Sequence, residues 1–170
     1  MTLAELNALD RDAFVAALGG IFEHSPWVAA DACAARPFAS VAALHEAMVA
    51  AMYAAAPARQ LDLMRAHPEL AGQAAIRGEL TAASRAEQAG AGLSACTPAQ
   101  YAALTELNDR YRARFGFPFI LAVAGYDRAG VIGELARRVE RTGEEEFAEN
   151  LRQIARIAAL RLAAQVQDPA

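Results

Sequence analysis

Helix-start signals recur along the whole chain, and they constrain its fold more than any other feature. Thr2 with Glu5 and Thr142 with Glu145 have the spacing of a capping box, in which hydroxyl and carboxylate each satisfy a backbone N–H at the helix start. Asp10, Ser40, Thr81 and Asp127 or Arg128 open further helices, and Ser25-Pro26 and Thr97-Pro98 place a capping hydroxyl before a proline at the first helical position. Stops are equally marked. Gly19-Gly20 ends the helix from Asp10, Pro68 ends the one that begins at Pro57, and Phe115-Gly116 ends the long helix from Thr97. The remaining stretches run from Ser40 to about Ala54, from Thr81 toward Gly90 or Gly92, from Asp127 toward Thr142, and from Thr142 toward Gln165. Only Phe117 to Gly125 could pass for a strand, and a lone strand has no partner in a helical chain, so it reads as helix or buried loop. The expectation is an all-α fold, a single compact domain over residues 1–170 with roughly eight helices.

Bulk properties narrow the function. A chain of 170 residues that is 55% apolar can bury a real core, much of it alanine. Charged residues make up 21%, the formal net charge is −4, and no basic stripe appears, which disfavours nucleic acid as a partner. No apolar run is long enough to span a bilayer, and the N-terminus lacks the basic and apolar blocks of a secretory leader. A cytoplasmic location is the default expectation. Cys33 and Cys96 read as bystander thiols rather than a disulfide framework. His45-Glu46 resembles the start of a zinc-protease motif, but Val49 stands where the second histidine belongs. Scattered histidines and cysteines leave no metal spacing, and Gly90-Ala91-Gly92 has no strand before it, so neither metal nor nucleotide cofactor is expected.

Four places could carry chemistry. His67, in Ala66-His67-Pro68-Glu69-Leu70, sits at a helix C-terminus, where the dipole favours its protonated form and an ordinary pKa near ~6.5 suits proton transfer. The competing reading is a helix-end cap. Glu87, three residues after Ser84 near the start of a helix, could supply a carboxylate or merely complete a capping box with Ser84. Gln88 beside it offers a donor and an acceptor to a polar heterocycle. Arg161 falls on the stripe Leu151, Ile154, Ala158, Arg161, Gln165, which should face the core, so it must meet a structural carboxylate or a buried substrate anion. Pro118 leaves local backbone without helical partners, and the N–H groups from Phe119 through Ile120 and Leu121 to Val123 could bind a ring carbonyl; plain core packing is the alternative.

Taken together, these stretches resemble the decarboxylases of 2-oxo-4-hydroxy-4-carboxy-5-ureidoimidazoline (OHCU), which complete urate oxidation to allantoin. The resemblance rests on Phe22-Glu23-His24-Ser25-Pro26-Trp27, Arg36-Pro37-Phe38, His67-Pro68-Glu69-Leu70, Ser84 with Glu87-Gln88 and Gly92-Leu93, Leu107-Asn108 with Tyr111, Phe115 to Ile120, and Ile157-Ala158 with Leu160-Arg161-Leu162. It implies an all-helical enzyme without cofactor, commonly a homodimer, acting on a small ureidoimidazoline to give (S)-allantoin and carbon dioxide. It places the catalytic histidine at His67 and its carboxylate partner at Glu87, with substrate contacts at Pro68, Ser84, Gln88, Arg161 and the backbone from Phe119 through Ile120 and Leu121. Trp27 is expected in the core and His24 near a helix cap. Two other readings stay open: a lyase or isomerase acting on another ureide or hydantoin, and a non-catalytic helical interaction module, which would need a large exposed apolar patch.

Overall fold

The computed structural model describes residues 1–72, 75 and 77–168. Among them are nine α-helices: α1 (Leu3–Ala8), α2 (Arg11–Leu18), α3 (Trp27–Ala32), α4 (Val41–Ala54), α5 (Pro57–Ala66), α6 (Ala82–Gly90), α7 (Pro98–Phe115), α8 (Arg128–Arg138) and α9 (Gly143–Gln165). Two 3-10 turns, Cys33–Ala35 and Leu93–Ala95, complete the regular structure, and no strand occurs among the described residues beyond an isolated bridge between Thr2 and Gln167. The all-α expectation holds.

Most helices begin where their caps predict. Thr2 and Glu5 form a reciprocal capping box, as do Thr97 and Gln100, while Asp10, Ser40, Thr81 and Asp127 each accept a backbone N–H at the head of a helix. Thr142 and Glu145 close the box at the head of α9, which draws the Glu145 carboxyl below its ordinary range. Gly116 ends α7 with φ +77°, a left-handed geometry that side-chain-bearing residues rarely adopt. Two boundaries differ from expectation. Helix α3 starts at Trp27, one residue late: Pro26 is its cap, and the Ser25 carbonyl rather than its hydroxyl receives the Val28 N–H at 3.1 Å. Helix α8 stops at Arg138, because Val139 turns the chain before Thr142 can cap α9.

The chain forms two compact units: Met1–Ala66 with Ile154–Ala170, and His67–Gln153. The first holds α1–α5 and the C-terminal part of α9, around Leu6, Phe14, Phe22, Leu44, Met48 and Leu63. A parallel pairing of Leu3 N–H with the Gln167 carbonyl and of Gln167 N–H with the Met1 carbonyl joins its two ends. Trp27 is not in this core. It is half-buried beneath the Arg59 guanidinium, 4.0 Å from the ring centre, because its place at the first turn of α3 points it to the rim. His24 is exposed, with φ +46°, in the turn before α3.

The second unit holds α6–α8 and the first part of α9 around Leu104, Tyr111, Phe119, Val131 and Leu135. Residues 117–123 are a buried non-helical segment, the loop reading of that stretch. Edge-to-face contacts of Tyr111 with Phe117 (6.1 Å) and Phe119 (5.5 Å) seat it against α7.

Candidate functional site

His67 and Pro68 follow directly on α5, and His67 is buried. The turn after them is tied down at every residue. Gln88 accepts the Ala71 N–H at 2.9 Å and donates to the Glu69 carbonyl at 3.5 Å. Asn108 of α7 donates to the Leu70 carbonyl at 3.0 Å, and Arg112 pairs with Glu69 at 2.5 Å. Ala71 itself sits at φ +52°, a strained geometry for alanine that these bonds hold in place. The amide of Gln88 thus couples α6 to the turn that carries His67.

Helix α6 presents Ser84 and Gln88, one turn apart, on its buried face. Its cap is Thr81, whose hydroxyl accepts the Ser84 N–H at 3.2 Å. Ser84 is therefore the third residue of the helix and Glu87 the sixth, so a capping box between them is ruled out, and Glu87 does not stand at a helix start. Its side chain is half-buried. A largely apolar cavity of about 490 Å³ lies beside this helix, lined by Ala71, Leu80, Gln88, Leu93 and Tyr101 among others. Of the expected site residues it takes in Gln88 but not His67, Ser84 or Glu87.

The 118–122 segment is held by a buried polar cluster. Arg138 and Glu146, both wholly buried, pair at 2.8 Å. Arg138 also donates to the Ile120 carbonyl and to Asn150 Oδ1, each at 2.8 Å, and lies 4.6 Å from the Phe119 ring centre. Asn150 donates to the Pro118 carbonyl at 2.9 Å and accepts the Ile120 N–H at 3.2 Å, and Gln153 accepts the Ala122 N–H at 3.0 Å. Of the N–H groups expected to face a ligand, those of Ile120 and Ala122 are thus engaged by side chains. Those of Phe119, Leu121 and Val123 have no acceptor among the described residues.

Tyr111 donates to Glu146 at 2.5 Å; burial first, and that bond second, push its hydroxyl well above the usual tyrosine range. Burial raises the Glu149 carboxyl, but bonds from Gln153 and Arg152 and the Arg138 charge outweigh it, leaving Glu149 below its ordinary 4.5.

Arg161 lies in the other unit. Leu151, Ile154, Ala158 and Arg161 are buried as the stripe predicts, whereas Gln165 is exposed. Arg161 Nη1 donates to Glu23 Oε2 at 2.8 Å and reaches the Ile21 carbonyl at 3.3 Å. The structural ion pair is therefore present, with Glu23 as the carboxylate.

Sequence reading missed Arg138, Glu146, Asn150 and Gln153. The signal was there: Glu146, Asn150 and Gln153 are spaced four and three apart, a polar stripe on a face of α9. Among the described residues no group of three His, Cys, Asp or Glu could hold a metal ion, Cys33 and Cys96 are both free thiols, and no single helix is long and apolar enough to cross a membrane. His45 bonds the Ala155 carbonyl at 2.8 Å.

Known proteins similar to this chain identify its family. A family described as OHCU decarboxylase matches residues 7–163. The 2-oxo-4-hydroxy-4-carboxy-5-ureidoimidazoline decarboxylase of Haloferax volcanii is 45% identical over 163 residues, covering 96% of this chain and 95% of that protein. That of Halalkalicoccus jeotgali is 41% identical, covering 95% and 90%. The crystal structure of (S)-allantoin synthase superposes with a TM-score of 0.76 at 30% identity, over 98% of this chain; the chain spans about half (54%) of that longer protein. On these matches the chain belongs to the OHCU decarboxylase family.

Proposed function

We propose that this protein is a carboxy-lyase of urate degradation, which converts OHCU to (S)-allantoin and carbon dioxide. The observation that carries the reading is the family membership, whose matched span includes every residue expected at the site.

The chemistry follows from the substrate. One ring carbon carries the carboxylate and a hydroxyl, next to a ring imine. When the carbon–carboxylate bond breaks, its electron pair moves toward the imine, whose nitrogen takes up a proton, and an enol results. Transfer of a proton to the carbon bearing the ureido arm, with loss of the enol proton, gives the ring carbonyl of allantoin and sets the stereocentre. Three things are required of the protein: hold the carboxylate out of the ring plane, stabilise charge on ring oxygen and nitrogen, and deliver the final proton to one face.

In this proposal His67 is the acid/base that moves the proton, and Glu87 orients it or binds a substrate hydroxyl or N–H. Its place inside α6, with Thr81 taking the capping role, supports a function for Glu87 beyond the helix end. Pro68, Ser84 and Gln88 shape the ring site, and the N–H groups of Phe119 and Leu121, with Ile120 as the wall between them, bind ring oxygen. Arg161 is assigned the substrate carboxylate or imide, which its fork suits. The resemblance also supports a homodimer, a cytoplasmic location and action without a cofactor.

The test follows circular dichroism of substrate made fresh from urate with an oxidase and a hydroxyisourate hydrolase. Rapid growth of the (S)-allantoin signal on adding the protein is the expected result. Slow decay to racemic product with folded protein present would remove the assignment.

A further inference from the structure

We infer that Arg138, Asn150 and Gln153 are positioning residues that aim and polarise the backbone N–H groups of Phe119 and Leu121. This rests on the reading that those N–H groups bind the substrate ring.

The hydrogen bonds of residues 118–122 alternate along the chain. Four consecutive polar groups of the even-numbered residues are each taken by a side chain: the Pro118 carbonyl by Asn150, the Ile120 N–H by Asn150, the Ile120 carbonyl by Arg138, and the Ala122 N–H by Gln153. In a chain of extended geometry, polar groups of neighbouring residues point to opposite sides. Fixing the even set on one side turns the N–H groups of Phe119 and Leu121 to the other, where no acceptor meets them among the described residues. Buried backbone donors are almost always bonded, so the N–H groups left over in this segment call for a ligand.

The same bonds polarise the two N–H groups. The Pro118 carbonyl and the Phe119 N–H belong to one peptide group, as do the Ile120 carbonyl and the Leu121 N–H. A donor on the carbonyl oxygen draws electron density through the amide and strengthens the N–H on the opposite edge. Asn150 does this for Phe119, and Arg138 does it for Leu121 with a full positive charge at 2.8 Å. Arg138 thus acts on the ring without touching it. Its pairing with Glu146 and its bond to Asn150 keep that charge satisfied while it is wholly buried.

Three variants test this in the full-length protein: Gln153→Met, Asn150→Leu and Asn150→Asp. Gln153→Met removes one acceptor at the edge of the cluster, and Asn150→Leu removes all three Asn150 bonds, to the Pro118 carbonyl, the Ile120 N–H and Arg138. Asn150→Asp keeps the acceptor for the Ile120 N–H and Arg138. The readouts are KM, kcat, the enantiomeric excess of the allantoin formed, and the thermal midpoint. The expected result is a KM raised about tenfold in Gln153→Met and more in Asn150→Leu, with lower enantiomeric excess, and only part of the KM loss recovered in Asn150→Asp, which keeps the acceptor that aims the segment but loses the donor to the Pro118 carbonyl. Gln153→Met keeps the test decisive if Asn150→Leu does not fold. Unchanged KM and enantiomeric excess in a folded Gln153→Met protein, with only the thermal midpoint lowered, would make the cluster structural and overturn the inference. A folded wild-type chain with no turnover would instead overturn the decarboxylase reading, and this inference with it.

Discussion

Arg161 Nη1 and Glu23 Oε2 meet at 2.8 Å, and both side chains are buried. Removing the carboxylate leaves an arginine charge with less compensation in a low-dielectric setting. Glu23→Gln is therefore expected to lower unfolding stability by about 3 kcal/mol, read as a shift of the urea midpoint without a change of slope. An unmoved midpoint would mean that the pair contributes nothing to the fold.

His67→Asn should leave the helical circular dichroism spectrum and melting temperature nearly as they are, since asparagine keeps polarity at the buried position after α5. Turnover should fall by at least about a hundredfold, the usual weight of a positioned acid/base group. Near-normal (S)-allantoin formation in that variant would reduce His67 to a helix-end residue.

The cap of α6 gives its two hydroxyls different roles. Thr81→Ala should cost about 1 kcal/mol of stability, because the Ser84 N–H loses its acceptor. Ser84→Ala should spare that cap and act instead on KM. Equal destabilisation by both, measured by thermal melting, would contradict the assignment of the cap to Thr81.

Alkaline pH should probe Tyr111. Its folded hydroxyl titrates above the ordinary value of 10.0, so the unfolded chain releases this proton first. The native state then binds more protons than the unfolded one, and stability is complete below pH 10 and declines as pH rises beyond it. Urea unfolding midpoints measured at successive alkaline pH values follow this decline. Tyr111→Phe should flatten the decline; an identical pH profile in that variant would place its cause elsewhere.

Much of this was legible in the residues. Thr2, Asp10, Ser40, Thr97 and Thr142 marked real helix starts, because a cap is a local bond between side chain and backbone within three residues. The Arg161 stripe was legible for the same reason: helical periodicity tells which side faces in. Trp27 was misplaced, because its distance from the core depends on how α3 lies and on Arg59, which is 32 positions away in the chain and covers its ring.

By itself, the sequence determined the all-helical class, nearly every helix boundary and the family, since these rest on local bonds, periodicity and ordered motifs. Tertiary structure alone decided which carboxylate pairs with Arg161, and that Arg138, Asn150 and Gln153 grip residues 118–122 from one side. Each of these is a choice among chemically equivalent partners. Only the packing of distant segments, by bringing one candidate within 3 Å and leaving the others out of reach, makes that choice.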